Sequence, residues 1–220
     1  MKRPLRPRGV LVTVVAGLTL GLTACGSDTP SATGTSSSTT AKTSQSAGST
    51  PSAPADTPFG PGCAAVPATG PGSFADMAAA PVATAASGNP ALKSFVQALT
   101  TANLMDPLNT TPQLTVLAPA DPAFAAVPAD QLKALMADSA QLTAALLHHV
   151  IQGRLTPDRL AGRHTTLNND ELTVEGSGTS FTIAGEGTLS GTAASVTCGD
   201  VRTANATVYV IDQVLKPAAS

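Results

Sequence analysis

Three residue types in this 220-residue chain could carry chemistry by their spacing: three histidines, three cysteines and a few isolated acids. His148 and His149 are adjacent, and His164 stands apart. Neighbouring side chains on a helix point about 100° apart, whereas a chelating pair needs i,i+4 spacing, so the histidines do not read as a metal site. Leu142, Ala145, Leu146 and His149 share one helical face, which makes His149 a core histidine that needs a hydrogen-bond partner. No G-x-S-x-G nucleophile elbow and no S-x-x-K occur, and "GEGTLSG" at 185–191 fits neither a dinucleotide fingerprint nor a phosphate loop. No catalytic residue, cofactor or metal is expected. Asp212, inside an apolar run, reads as the anchor of a hydrogen-bond network.

Cys25 has a different setting. Residues 1–8, MKRPLRPR, are basic, and an apolar run from Val10 to Leu22 follows, short for a permanent span. Leu22-Thr23-Ala24-Cys25 then resembles the lipobox of bacterial lipoproteins, in which the cysteine sulfur is acylated and the chain is cut just before it. That resemblance implies a signal peptide over 1–24, a lipid-anchored Cys25 and a place on the outer face of the cell membrane, with partial release. Two or three acyl chains, at ~0.8 kcal/mol per buried CH₂, hold a protein firmly where one chain does not. With Cys25 removed from the count, Cys63 and Cys198 remain, and an exported location lets them pair.

Residues 1–24 hold four of the 12 basic residues and none of the 14 acidic ones, so the chain from Cys25 onward carries a formal charge of −6. With no tryptophan and one tyrosine, it lacks the basic footprint and stacking platforms of a nucleic-acid binder. Residues 25–59 are mostly Ser, Thr, Ala, Pro and Gly and read as a disordered tether, either a plain spacer or a glycosylated stalk. Residues 60–220 have the composition and length of one domain with a sizeable core.

The elements that would position any site follow from periodicity. "PALKSFVQALTTANLM" places Leu92, Phe95, Val96 and Leu99 at helical spacing, with Asn89 as N-cap. "QLTVLAP" is a short apolar strand, Asp121-Pro122 opens another helix, and "ADQLKALMA" is a third. Ser139 reads as the cap of "AQLTAALLHHVIQG", a helix running to Gly153. The second half changes period: "ELTVEGSGTSFTIAG" is a hairpin, and "TLSGTAASVTCGDV" and "ATVYVIDQVLKP" supply further strands. Helices first and mostly antiparallel strands later predict an α+β domain. Asn109-Thr110-Thr111 and Asn205-Ala206-Thr207 match the glycosylation pattern, but a bacterial signal argues against that use.

Two segments carry a family likeness. "LTVLAPADPAFAAVP", residues 114–128, and "TANATVYVIDQVLKP", residues 203–217, resemble the two motifs of fasciclin (FAS1) domains. "LLHHVIQGRL" between them places His149 at that family's usual histidine. "GPGCA" and "TCGDVRTANATVYVID" are closer still to a mycobacterial secreted and lipoprotein subgroup, with cysteines placed like Cys63 and Cys198. The resemblance implies a β-wedge with several packed helices, a role in adhesion or cell-surface interaction, and no general catalytic activity. It also points to binding residues. Asp200-Val201 stands at the position of an Asp-Ile integrin motif, and His148-His149 at that of a Tyr-His motif flanked by branched aliphatics. Both pairs depart from the pattern, with Val201 for isoleucine and His148 for tyrosine. Asp200 reads either as a carboxylate that completes a receptor's metal shell or as the shaper of a surface turn after Cys198.

The functional expectation is a monomeric surface lipoprotein whose domain meets host matrix protein, a neighbouring cell, or cell-wall glycan or lipid. A solute- or lipid-binding lipoprotein, a hydrolytic enzyme and a purely structural envelope component are the alternatives.

Overall fold

The computed structural model describes residues 57–217; the signal segment, Cys25 and the tether up to residue 56 lie outside the described residues. In chain order the elements are α1 (Phe74–Ala79), α2 (Val82–Gly88), α3 (Lys93–Thr101), α4 (Met105–Thr110), β1 (Leu114–Pro119), α5 (Asp121–Ala126), α6 (Ala129–Ala137) and α7 (Ser139–His148). Then come β2 (Val150–Gln152), α8 (Pro157–Leu160), β3 (Gly162–Thr165), β4 (Glu171–Ser177), β5 (Ser180–Ile183), β6 (Ala194–Arg202) and β7 (Ala206–Ile211).

The seven strands form one sheet in the order β2-β1-β7-β6-β5-β4-β3. All neighbours are antiparallel except β1 and β7, which run parallel from Leu114↔Ala206 to Pro119↔Ile211. The two ends of the sheet approach each other: Ile151 bridges Thr166, and the Leu167 N–H donates to the Val150 carbonyl at 2.7 Å. The result is a nearly closed wedge, the architecture expected from the fasciclin likeness.

Both faces of the central strands are buried, and the largely apolar β1 and β7 are buried at every position. Alternation divides them between two cores. Val116, Ala118, Val208 and Val210 pack against the helices, together with Phe95, Leu99, Leu142 and Leu146. Leu117, Tyr209 and Ile211 point into the wedge with Leu172, Val174, Phe181 and Ile183.

Several boundaries differ from the periodicity reading. The segment from Pro90 is not one helix. Asn103 takes a left-handed φ of 55°, its N–H donates to Thr100, and Leu104 N–H donates to Leu99. This pair of bonds closes α3 in a Schellman turn before α4 begins. Helix α7 stops at His148, because β-branched Val150 and Ile151 pair with β1 instead of extending the helix. Its cap is Asp138, whose carboxylate accepts from Ala140 and Gln141, and not Ser139. Asn89 does cap its segment, accepting from Ala91 at 2.9 Å. The 171–183 hairpin forms, but its turn is Gly178-Thr179, so β4 runs through Gly176. Helices α1, α2, α4 and α8 and strands β2 and β3 were not individually foreseen.

The Cys63–Cys198 disulfide is present and ties the N-terminal segment to β6. Phe59 exchanges backbone hydrogen bonds with Gly199, and its ring packs near Phe181 and Tyr209. A side chain on Gly199 would strike that ring, so glycine lets the segment lie flat on the strand. Phe59 thus packs onto β6 and the wedge core.

Candidate functional site

At the end of α7 the two histidines diverge. His149 is 1% exposed and faces the core. Its Nδ1 donates to the Ala145 carbonyl at 2.7 Å, and its Nε2 accepts from the Leu215 N–H at 3.0 Å. A carbonyl can only accept and an amide N–H can only donate, so the neutral tautomer is dictated. Burial pushes the imidazole pKa down to about 4; the Ala145 carbonyl works against this, and the neighbouring His148 adds to it. This is the core histidine read from the helical face. Its second bond, 66 residues away, pins the C-terminal segment.

His148 is 2% exposed and points the other way. Its Nδ1 lies 2.8 Å from Oδ1 of Asp170. Asp170 follows β3 in the turn Thr166-Leu167-Asn168-Asn169, and it accepts from the Thr166 hydroxyl and, at 2.9 Å, from the Asn168 amide. Burial raises its pKa, but the bonds from Thr166, Asn168 and His148 outweigh this and bring it down to about 2. Asp170 is therefore a fixed carboxylate at neutral pH. Sequence reasoning passed over it. The Thr-x-Asn-x-Asp stretch is a legible turn signal, but nothing local says which histidine it meets.

Asp200 and Val201 lie elsewhere, in β6. The register shifts between Cys198 and Val201, and Asp200 occupies this bulge with a left-handed φ of 55°. Expected at the surface, Asp200 is 4% exposed and Val201 1%. The carboxylate faces Arg202, whose Nε is 3.8 Å from Oδ1. Tyr209 is nearby; burial first, then the charge of Asp200, raise its phenol pKa, and its hydroxyl donates to Leu155 at 3.0 Å. The bulge turns Asp200 into the protein, which is the correction to both surface readings of that residue. The structure does not bring the Asp200-Val201 pair together with the His148-His149 pair.

Asn205 and Asn109 belong to the scaffold. Asn205 accepts from the Val82 N–H at 2.8 Å and donates to the carbonyls of Leu108 and Thr111 at 2.7 and 2.8 Å. Asn109 accepts from Ala83 and Thr84. Together they cap the first three N–H groups of α2 from a distance. Asp212 likewise anchors a network: its carboxylate accepts from Ser195 N–H at 2.7 Å, just past the end of β7.

Three hollows border these elements. A groove of about 540 Å³ between α3 and α7 is lined by Thr101, Asn103, Ser139 and Thr143 among others. One of about 320 Å³ lies beside Arg154 and Asn205. The third, about 400 Å³, has His148 in its lining. Among the described residues no group of three or more His, Cys, Asp or Glu side chains is placed to hold a metal ion.

The fasciclin domain family model matches residues 90–217, more than half of the chain. The chain belongs to the fasciclin domain family. Immunogenic protein MPB70 of Mycobacterium bovis is 40% identical over 161 residues, 71% of this chain and 79% of that protein. Cell surface glycolipoprotein MPB83 of the same species is 42% identical over 156 residues, 69% of this chain and 67% of that protein. A solved FAS1 domain pair from the insect cell adhesion molecule Fasciclin I superposes with a TM-score of 0.46 at 24% identity, over 58% of this chain and 45% of that one. In this fasciclin domain both family-motif segments supply central strands: the first is β1 running into α5, and the second is β7 with its C-terminal extension.

Proposed function

We propose that this protein is a lipid-anchored cell-surface protein that presents its fasciclin domain for adhesion or ligand binding at the bacterial envelope. The observation that carries this reading is the 42% identity, across most of the domain, to a protein named as a cell surface glycolipoprotein. The lipobox-like Leu22-Thr23-Ala24-Cys25 supports it independently, because it supplies the anchor such a protein needs. The Ser/Thr/Pro-rich stretch between Cys25 and Phe59 supplies reach. The partners proposed are host matrix protein, a neighbouring cell, or cell-wall glycan or lipid.

Two experiments test it. Intact mass of membrane-extracted protein should begin at an acylated Cys25, and Cys25→Ala should release the protein while the domain stays folded. An unmodified start elsewhere removes the anchor. The purified full chain should also bind at least one immobilised class among matrix proteins, envelope glycans and lipids in a saturable way. Binding to none would end the adhesion reading.

A further inference from the structure

Of the three hollows described above, the cavity beside His148 has a buried titratable side chain in its wall. Its volume, about 400 Å³, is within the ~300–1,000 Å³ range of small-molecule sites. The His148 ring borders it with Leu172 and Ile183, both buried, while Glu171, Thr173, Glu186 and Lys216 stand exposed around it.

Asp170 does not border the cavity; it holds the other side of the ring. The Asp170 carboxylate accepts in this 2.8 Å pair, so Nδ1 carries a proton there and Nε2 is left for a ligand. No described residue hydrogen-bonds Nε2. A buried imidazole thus lines the cavity with its Nε2 outside that pair, and Thr166 and Asn168 hold Asp170 in place. The walls are held as well. The Leu215 N–H is fixed by His149, the Lys216 N–H donates to Gly187 at 2.9 Å, and Thr188 bridges Leu215.

The charges select the ligand. An anion would meet the carboxylates of Glu171 and Glu186, with Lys216 beside them. A cation gains little, because Glu171 is already paired with Arg163 at 2.8 Å and Lys216 offsets Glu186. A neutral polyol satisfies every group: a hydroxyl both donates and accepts, so it can bond Nε2 in either ring state, the carboxylates and Lys216, while the C–H face lies on Leu172 and Ile183.

We propose that this cavity binds the end of a neutral saccharide, with His148 Nε2 hydrogen-bonded to a sugar hydroxyl. The site narrows the surface-binding reading to one ligand class and rests on that reading only for where such sugars would be met.

The test uses the full chain with ¹⁵N-labelled histidine rings, titrated separately with maltotriose and triacetylchitotriose, both neutral. The expected result is a saturable shift of the His148 Nε2 resonance with at least one of them, while His149 Nε2 stays in place. Glu186→Gln and Thr173→Val, both at exposed positions, should each weaken binding by about three-fold or more. His148→Phe should weaken it by about ten-fold or more. The rim variants keep the test valid should His148→Phe fold poorly.

No saturable shift with either sugar overturns the proposal. So does a response to methylammonium or acetate in their place, or sugar binding indifferent to all three variants. Matrix or cell binding that survives in a chain unable to take up the sugars would leave the adhesion reading standing without this site. Sugar uptake by a chain with no acyl group on Cys25 would support the site and remove the anchor.

Discussion

His149 ties the stability of this fold to pH. Its folded pKa of about 4 lies below the ordinary 6.5, so the unfolded chain binds the proton more readily. The stabilisation is therefore complete above pH 6.5 and is lost as pH falls from 6.5 towards 4, on the order of 3 kcal/mol in all. Protonated Nε2 would also set two donors, itself and the Leu215 N–H, against each other. Asp170 acts in a separate window: its depressed pKa, about 2, costs stability only as pH drops from about 4 towards 2. Urea unfolding from pH 7.5 to 4.5 should show the decline in wild type and a much flatter profile in His149→Gln. Equal slopes would mean that another group is responsible. At Gly199 the effect is steric. Gly199→Ala places a methyl group against the Phe59 ring and should destabilise by about 1–3 kcal/mol, seen as a lower Tm. Combining it with Phe59→Ala should restore part of the loss, since the methyl group then has room.

At the scale of elements, α2 depends on distant asparagines. It begins after Pro81, whose side chain offers no cap, so Asn205 and Asn109 supply the acceptors. Asn205→Ala removes the acceptor for Val82 and leaves the Leu108 and Thr111 carbonyls without that amide donor. The expected loss is about 2–3 kcal/mol. Asn205→Asp should cost at least as much, although it keeps the acceptor for Val82, because a carboxylate would face two carbonyl oxygens. Thermal melts of the two variants decide the point: Asp as stable as wild type would show that the donor side of the clamp is idle. The same bonds occupy the Asn205 amide nitrogen, so a sugar there would break the clamp. Peptide mass mapping should find Asn205 unmodified.

For the molecule as a whole, the disulfide joins residues 135 apart in sequence. Closing so long a loop in the unfolded chain is worth about 5 kcal/mol on the chain-entropy estimate. For a domain of this size, each kcal/mol moves Tm by roughly 2–4 °C. Reduction, or Cys63→Ser, should therefore lower Tm by about 10–20 °C and loosen the Phe59 segment first, because that segment hangs on the bond and on one isolated bridge. Calorimetry with and without reductant measures the shift, and hydrogen exchange at Gly199 reports the loosening. An unchanged Tm would mean that the clasp adds nothing to packing.

Much of this protein was determined by its sequence alone. The apolar runs in β1 and β7, the 129–137 helix, the 171–183 hairpin and the buried face of His149 follow from local period and composition, because each needs only to know which face is apolar. Motif likeness added the family and the fold. Local reading failed where the partner is remote. Val150 and Ile151 look helical until β1 is there to pair with them. Asp200 looks exposed until a bulge turns it inward. Asp170 and Asn205 are ordinary turn residues until folding brings them to His148 and α2. Hydrogen bonds and strand pairing across tens of residues have no local periodicity. The cavity at His148, built by α7, β4, β5 and the C-terminal segment, was therefore decided by the tertiary structure alone.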